Sequence, residues 1–195
     1  MKFRELVEQN RTRRKFDQSK PVRVEDLVDL VDLARFIPSG MNKQPLKFLV
    51  TADQEQCAEI FPLLGWAGYL KDWPGPAEGE RPTGYIVIVL DKELAESPHC
   101  DHGIACQTMM LGAVEKGLGG CIIATINRTK LARIFDLSDR YEILLILALG
   151  VPAQEVVVEP LPSDGSIKYW TGEDGSHHVP KRSLEELLLG SFPGK

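Results

Sequence analysis

The apolar positions of the chain change period several times, and each change marks an element. Phe3, Leu6 and Val7 recur at helical spacing between Met1 and Asn10, and Leu27, Leu30, Val31 and Ala34 repeat that spacing after Val24-Glu25-Asp26. Two amphipathic helices are expected, flanking a basic turn. Leu46 to Thr51 predicts a strand, Gln54 to Leu64 a helix, and Gly84 to Leu90 an apolar strand too short for a helix. Between the last two, Gly65 to Pro82 predicts a long loop. Asp101 to Lys116 is a helix dense in small and apolar residues, among them Ile104, Ala105, Met109, Leu111, Gly112 and Ala113. With so little polar surface before its last turn, it is expected to be buried on more than one side. Gly117 is placed to end it. Gly120 to Ile123 then predicts a strand, Asn127 caps a helix through Phe135, and Ile143 to Leu149 predicts another buried strand, so the middle of the chain supplies the core. Val156 to Glu159 resumes β character, whereas Pro160 to Pro180 is a polar passage, rich in glycine and proline, with no periodicity. Ser183-Leu184-Glu185-Glu186 is a capping box opening a last short helix.

With 195 residues, 43% hydrophobic and 26% charged, the chain can bury a core without staples, and one domain over residues 1–195 is expected. A net charge of −5 provides no global field to attract nucleic acid or an anionic membrane surface, so any anion site must be local. No run is long and apolar enough for a membrane span, and Met1-Lys2-Phe3-Arg4-Glu5 turns polar too early for a signal peptide. A soluble, cytoplasmic protein is expected. Cys57, Cys100, Cys106 and Cys121 are too sparse for a disulfide scaffold, and no two have the spacing of a zinc or thiol-exchange pair.

Arg11-Thr12-Arg13-Arg14-Lys15 is the one strongly basic stretch, with four cations and a hydroxyl in five residues. Guanidinium forks and a hydroxyl suit a phosphate, and a solvated basic turn is the plain alternative. Lys181-Arg182 precedes the last helix, whose N-terminus adds partial positive charge. Pro38-Ser39-Gly40-Met41-Asn42-Lys43-Gln44-Pro45 can present amides and hydroxyls to a heteroaromatic edge, or can serve as a connecting turn. Trp66, Tyr69 and Trp73 can roof a substrate site or anchor their loop. Gly117-Leu118-Gly119-Gly120 follows a helix and precedes a strand, the reverse of the dinucleotide fingerprint, so a helix stop is expected. His99 to His102 and the pair His177-His178 contain metal-ligand types without any zinc spacing, and no metal site is expected. Nucleophile-elbow, Walker and metalloprotease signatures are absent.

Taken in order, Arg11 to Phe16, Pro38 to Pro45, the helix bearing Asp101, Gly103 and Gln107, then Gly117-Leu118-Gly119 and Leu149 to Pro152, resemble the nitroreductase family over nearly the whole chain. The resemblance implies an α+β fold, a mixed central sheet flanked by helices, with a C-terminal arm exchanged in a homodimer, the arm matching Val156 to Glu159. It implies flavin mononucleotide (FMN) at the dimer interface, with NAD(P)H as electron donor and a small-molecule acceptor. By the same resemblance Arg11, Thr12, Arg13, Arg14, Lys181 and Arg182 surround the phosphate. Pro38, Ser39, Gly40, Asn42 and Gln44 reach the flavin from the neighbouring subunit, and Ala124 and Thr125 lie near flavin N5. Many members carry an acidic residue and a glycine at this last place, so the chain departs from the family there. A flavin performs hydride transfer itself, so no catalytic side chain is expected. Dehalogenation, enone reduction, flavin cleavage and non-enzymatic flavin storage or redox sensing remain alternatives.

Overall fold

The structure, a computed structural model, describes residues 1–194. Its centre is a four-stranded sheet of β1 (Leu46–Thr51), β2 (Gly84–Asp91), β3 (Gly119–Ile123) and β4 (Tyr141–Gly150), in the order β1-β2-β4-β3. Neighbouring strands pair antiparallel. Every residue of β2 is buried because helices cover both faces of the sheet.

Alternate residues of a strand point to opposite faces. Ile86, Ile88, Leu147 and Leu149 therefore meet Leu27, Leu30 and Ala34 of α2 (Val24–Ala34) and Ala105, Cys106, Met109, Met110 and Ala113 of α4 (Asp101–Glu115). On the other face Tyr85, Val87, Val89, Ile146 and Ala148 meet Ile60 of α3 (Gln54–Ile60) and Leu131 of α5 (Arg128–Ile134). The expected multi-sided burial of α4 follows from its place between sheet and α2, which Gly112 permits by letting Leu30 and Leu33 approach its backbone. Gly117, at φ 74°, reverses the chain so that Leu118 N–H donates to Ala113 O at 2.8 Å.

The passage from Pro160 to Pro180 is more ordered than its lack of periodicity suggested. β5 (Val156–Pro160) runs parallel to β7 (His177–Lys181), and β6 (Trp170–Thr171) pairs antiparallel with β7. Side-chain pairing rather than alternation organises this sheet. His178 Nδ1 lies 2.8 Å from Glu159 Oε1, and the Trp170 indole stacks on the His178 ring at 5.0 Å. Parallel pairing also enters at the free edge of β3, where Thr12 bridges Gly120.

Two apolar surfaces stay uncovered. Helix α1 (Phe3–Gln9) buries none of its residues, and Phe3 is 72% exposed. Around α6 (Leu184–Leu187), Leu184, Leu187, Leu188, Leu189 and Phe192 are all exposed. No helix among the described residues is long and apolar enough to cross a membrane.

Candidate functional site

The basic turn is laid out by its neighbours. Phe16 is fully buried beneath Gly150, and Arg13 N–H donates to Gly120 O at 2.8 Å, so the backbone between them is held along the edge of β3. Arg11 and Arg13 line a cavity of about 240 Å³ with Gly117, Gly119 and Pro152. Arg14 and Lys15 line a separate cavity of about 610 Å³ with Tyr69, Trp73, Gln154 and His177.

Each guanidinium has a partner, and none of those partners is an anion. Arg11 donates to Val7 O at 2.6 Å and Arg13 to Gln154 O at 2.6 Å. Arg14 Nη1 lies 3.2 Å from His177 Nε2, and its guanidinium sits 4.9 Å over the Tyr169 ring. Arg11 Nε and Arg14 Nε are buried without a hydrogen-bond partner. Only Lys15 pairs with a carboxylate, Glu80 at 2.9 Å. Burial, then the neighbouring Arg11, holds the Arg13 guanidinium below its ordinary pKa. Glu155 opposes this from a distance, but no carboxylate bonds to any of the three guanidiniums. Partly buried positive charge without a bonded counter-ion is costly, so an anionic ligand would relieve it. His177 is 2% exposed; burial, then Arg14 and His178, push it down to about 4. Its Nε2 therefore accepts from Arg14, since a guanidinium can only donate.

The loop from Pro38 to Pro45 is fastened at the start of α4. Ser39 Oγ donates to Asp101 Oδ2 at 2.6 Å, Gly40 N–H donates to Asp101 Oδ1 at 3.2 Å, and Gln44 N–H donates to Ser39 Oγ at 2.9 Å. Met41, Asn42 and Gln44 all hold positive φ, at 54°, 54° and 49°. That much left-handed backbone without glycine persists only where the surroundings enforce it. Asn42 and Gln44 are thereby left exposed. This loop sits at the first residue of the 15-residue α4, about 22 Å long, whereas Arg11 and Arg13 line their cavity with Val114 and Gly117 at its other end, and Asn10, just before the turn, reaches Gln107 at 3.3 Å.

Ala124 and Thr125 are exposed just beyond β3. From Gly120, beside the arginine turn, to Ala124 is about 13 Å of extended chain. Gly65 N–H donates to Thr125 O at 2.8 Å, which joins the start of the long loop to this segment. The aromatic trio of that loop divides. Trp66 is an anchor, packed on Phe61 at 5.6 Å and covered by Gly75, whereas Tyr69 and Trp73 line the larger cavity.

Lys181 and Arg182 are not brought to the arginine turn within one chain. Lys181 closes β7 four residues beyond His177, about 13 Å along the strand, and Arg182 pairs with Glu186 at 3.1 Å. The two adjacent histidines face opposite sides of β7. His177 meets Arg14, while His178 links Glu159 to Ser176 Oγ at 2.9 Å, with Ser176 buried and bonded to Asp174 at 2.6 Å. Among the described residues no three His, Cys, Asp or Glu side chains gather to hold a metal. In the sequence His177 stands out only as one of a pair of metal-ligand types, and Tyr169 not at all. The Tyr169-Trp170 and His177-His178 pairs, set in a passage without periodicity, were the only signal.

The nitroreductase family model matches residues 7–73 and 81–151, well over half of the chain. YodC of Bacillus subtilis strain 168, which carries the name of an NAD(P)H nitroreductase, is 25% identical over 167 residues, covering 70% of this chain and 83% of its own. An iodotyrosine deiodinase of Thermotoga neapolitana is 26% identical over 165 residues, covering 76% of this chain and 87% of its own. Among solved structures, the NADPH:FMN oxidoreductase of Vibrio harveyi, complexed with NAD+, superposes with a TM-score of 0.62 at 22% identity, over 82% of this chain and 73% of its own. This last likeness speaks to the α+β fold. With the family model spanning both the arginine turn and the sheet it lies against, the chain belongs to the nitroreductase family and is an oxidoreductase.

Proposed function

We propose that the protein is a cytoplasmic, homodimeric, FMN-dependent enzyme, one domain per chain, that carries electrons from NAD(P)H to an electron-poor acceptor such as a nitroaromatic or a quinone in a ping-pong cycle. The arginine turn carries this reading. Three guanidiniums lack a carboxylate partner and two of them keep a buried, unpaired Nε, a donor set suited to a phosphomonoester. FMN bound there would supply hydride transfer at its N5.

The chain's part is to bind, orient and exclude water. In this reading Arg11, Thr12, Arg13 and Arg14 are the phosphate's ligands, Arg14 reaching it from the larger cavity and Arg11 and Arg13 from the smaller one on the other side of the turn. The exposed residues Ala124 and Thr125 lie farther along the same strand edge, where the ring would reach. Lys181 and Arg182 add charge to a phosphate in the assembled dimer. The separation of the Ser39 to Gln44 loop from its own arginine turn supports its serving the neighbouring subunit's flavin. Exposed Phe3, Leu184, Leu187, Leu189 and Phe192 support a partner surface that covers them. Tyr69 and Trp73 wall the acceptor cavity. No side chain acts as nucleophile or general acid.

The nicotinamide donor is supported by the NAD+ complex of the Vibrio harveyi protein. Likeness to a deiodinase favours, as a second reading, an aryl halide as acceptor. Anaerobic stopped-flow mixing of the purified protein with NADH and NADPH tests the proposal. Bleaching of the flavin band, restored by a nitroaromatic or quinone, is expected, and no bleaching by either nucleotide overturns it. Halide release from a halotyrosine under the same conditions would select the second reading. Flavin affinity unchanged in a protein with alanine at both positions 11 and 14 would end the phosphate assignment.

A further inference from the structure

We infer that the C-terminal sheet aims the phosphate-binding arginine: His177 and Tyr169 are positioning residues that fix the Arg14 guanidinium for the flavin phosphate. The inference rests on the reading of Arg14 as a phosphate ligand. Both residues lie beyond residue 151, outside the stretch matched by the family model.

Arg14 is held on two sides. His177 Nε2 accepts a hydrogen bond from Arg14 Nη1 at 3.2 Å, and the Tyr169 ring supports the guanidinium plane from 4.9 Å. These two holders brace each other, with ring centroids 5.0 Å apart. Tyr69 braces Tyr169 in turn, through rings 5.0 Å apart and a Tyr69 N–H that donates to Tyr169 Oη at 3.3 Å. The backbone of His177 is pinned where its N–H donates to Glu155 O at 2.8 Å. The His177 ring is thus supported by Tyr169 on one side and by its pinned backbone, and, kept neutral by burial, it accepts without adding charge.

A long, flexible side chain loses rotamer freedom when it binds an anion. A guanidinium already clamped at one edge has lost much of it beforehand, and so gives up less on meeting the phosphate. Arg14 Nε stays buried and without a partner, a donor still to be satisfied. The same clamp joins the sheet of β5, β6 and β7 to the long loop through Tyr69, so the flavin site and the wall of the acceptor cavity share one support.

The test compares FMN with riboflavin, which lacks the phosphate, on full-length protein stripped of flavin. Dissociation constants are read from flavin fluorescence for wild type, H177L, H177Q, Y169L, Y169F and R14Q, with circular dichroism as the check on folding. H177L is expected to weaken FMN about tenfold, the scale of one hydrogen bond to a charged group, and to leave riboflavin within about twofold. H177Q restores FMN affinity because its Oε1 replaces the Nε2 acceptor, and Y169F retains it because the ring face remains. H177L added to R14Q costs little more, since both act through one guanidinium. Should H177L fail to fold, Y169L against Y169F carries the same comparison. The inference is overturned if H177L weakens FMN and riboflavin alike, or neither, while R14Q loses FMN selectively. If R14Q itself leaves the ratio of FMN to riboflavin affinity unchanged, the phosphate assignment fails and the inference with it.

Discussion

Ser39 Oγ and Asp101 Oδ2, 62 residues apart in sequence, stand 2.6 Å apart and fasten an otherwise exposed loop to the first residue of α4. Asp101 is 5% exposed and sits where the helix macrodipole favours a negative charge. Its other oxygen holds Gly40 N–H, so one carboxylate fixes the start of a short left-handed turn, whose far end is tied back by Gln44 N–H donating to Ser39 Oγ. Replacing Asp101 with alanine removes two charge-assisted bonds, each worth about 1.5–3 kcal/mol. Asp101→Ala is expected to raise the FMN dissociation constant at least tenfold and Ser39→Ala less, with helix content unchanged by circular dichroism. Unaltered flavin affinity in Asp101→Ala would mean that the loop does not face a flavin.

Gly120 stands where the arginine turn, β3 and β4 converge. A Cβ placed there would lie 2.7 Å from Ala148 O and 2.7 Å from Leu149 Cδ2, and the carbonyl belongs to a buried sheet and cannot yield. Overpacking of this kind costs about 1–3 kcal/mol. Gly120→Ala is therefore expected to lower the thermal midpoint by several degrees. Because Arg13 N–H bonds to Gly120 O, it also weakens flavin binding at temperatures where the protein remains folded. A thermal scan with and without excess FMN separates the two effects, and an unchanged midpoint would contradict the packing.

Asp91, with no exposed side-chain surface, ends β2 by receiving Arg140 Nε at 2.8 Å on one oxygen and Arg140 Nη2 at 2.5 Å on the other. The Arg140 bond, helped by Glu93 N–H, holds its carboxyl below the ordinary aspartate value. The unfolded chain then binds this proton more readily than the folded one. The pair's stabilisation is present in full above the unfolded pKa of about 4 and is lost as pH falls from there through the folded value. Urea midpoints should drop across this acid window in wild type. In Asp91→Asn they should begin lower at neutral pH and fall less steeply; parallel curves would count against the pair.

Much of the fold was legible because it depends on local period. The strand at Leu46 to Thr51 appears with the bounds its alternation predicts, and Asn127 caps α5 by accepting from Lys130 N–H. The 160–180 passage was not legible, since β6 has only two residues and β7 reads His-His-Val-Pro-Lys. Their order comes from Glu159, Ser176 and Trp170 around His178, contacts that no periodicity encodes. The site divides in the same way. The arginine cluster and the serine loop stand out as unusual residue types in short stretches, whereas the contact of Arg14 with His177 spans 163 positions and is closed only by folding.

The arrangement of the apolar surface leads to a prediction about assembly. Leu189 and Phe192 are 102% and 95% exposed, Leu184 and Leu187 about two-thirds exposed, and Phe3 of α1 is equally uncovered. In a lone chain these side chains gain nothing from order, yet Ser183 and Glu186 form a reciprocal cap that starts α6 just before them. A helix of four residues is too short to be stable alone, so a cap there makes sense if the helix is held by packing against something else. A second copy of the chain is the occupant that the proposed flavin site also calls for, since the Ser39 loop and the cavity of Arg11 and Arg13 lie toward opposite ends of α4. Sedimentation of the intact protein should therefore give a dimer at micromolar concentration. A chain ending at Ser183 should dissociate toward monomer, and on dilution it should release its flavin in step with that dissociation. Truncated protein that remained dimeric would assign the partner surface elsewhere, and intact protein sedimenting as a flavin-loaded monomer would exclude a shared site altogether.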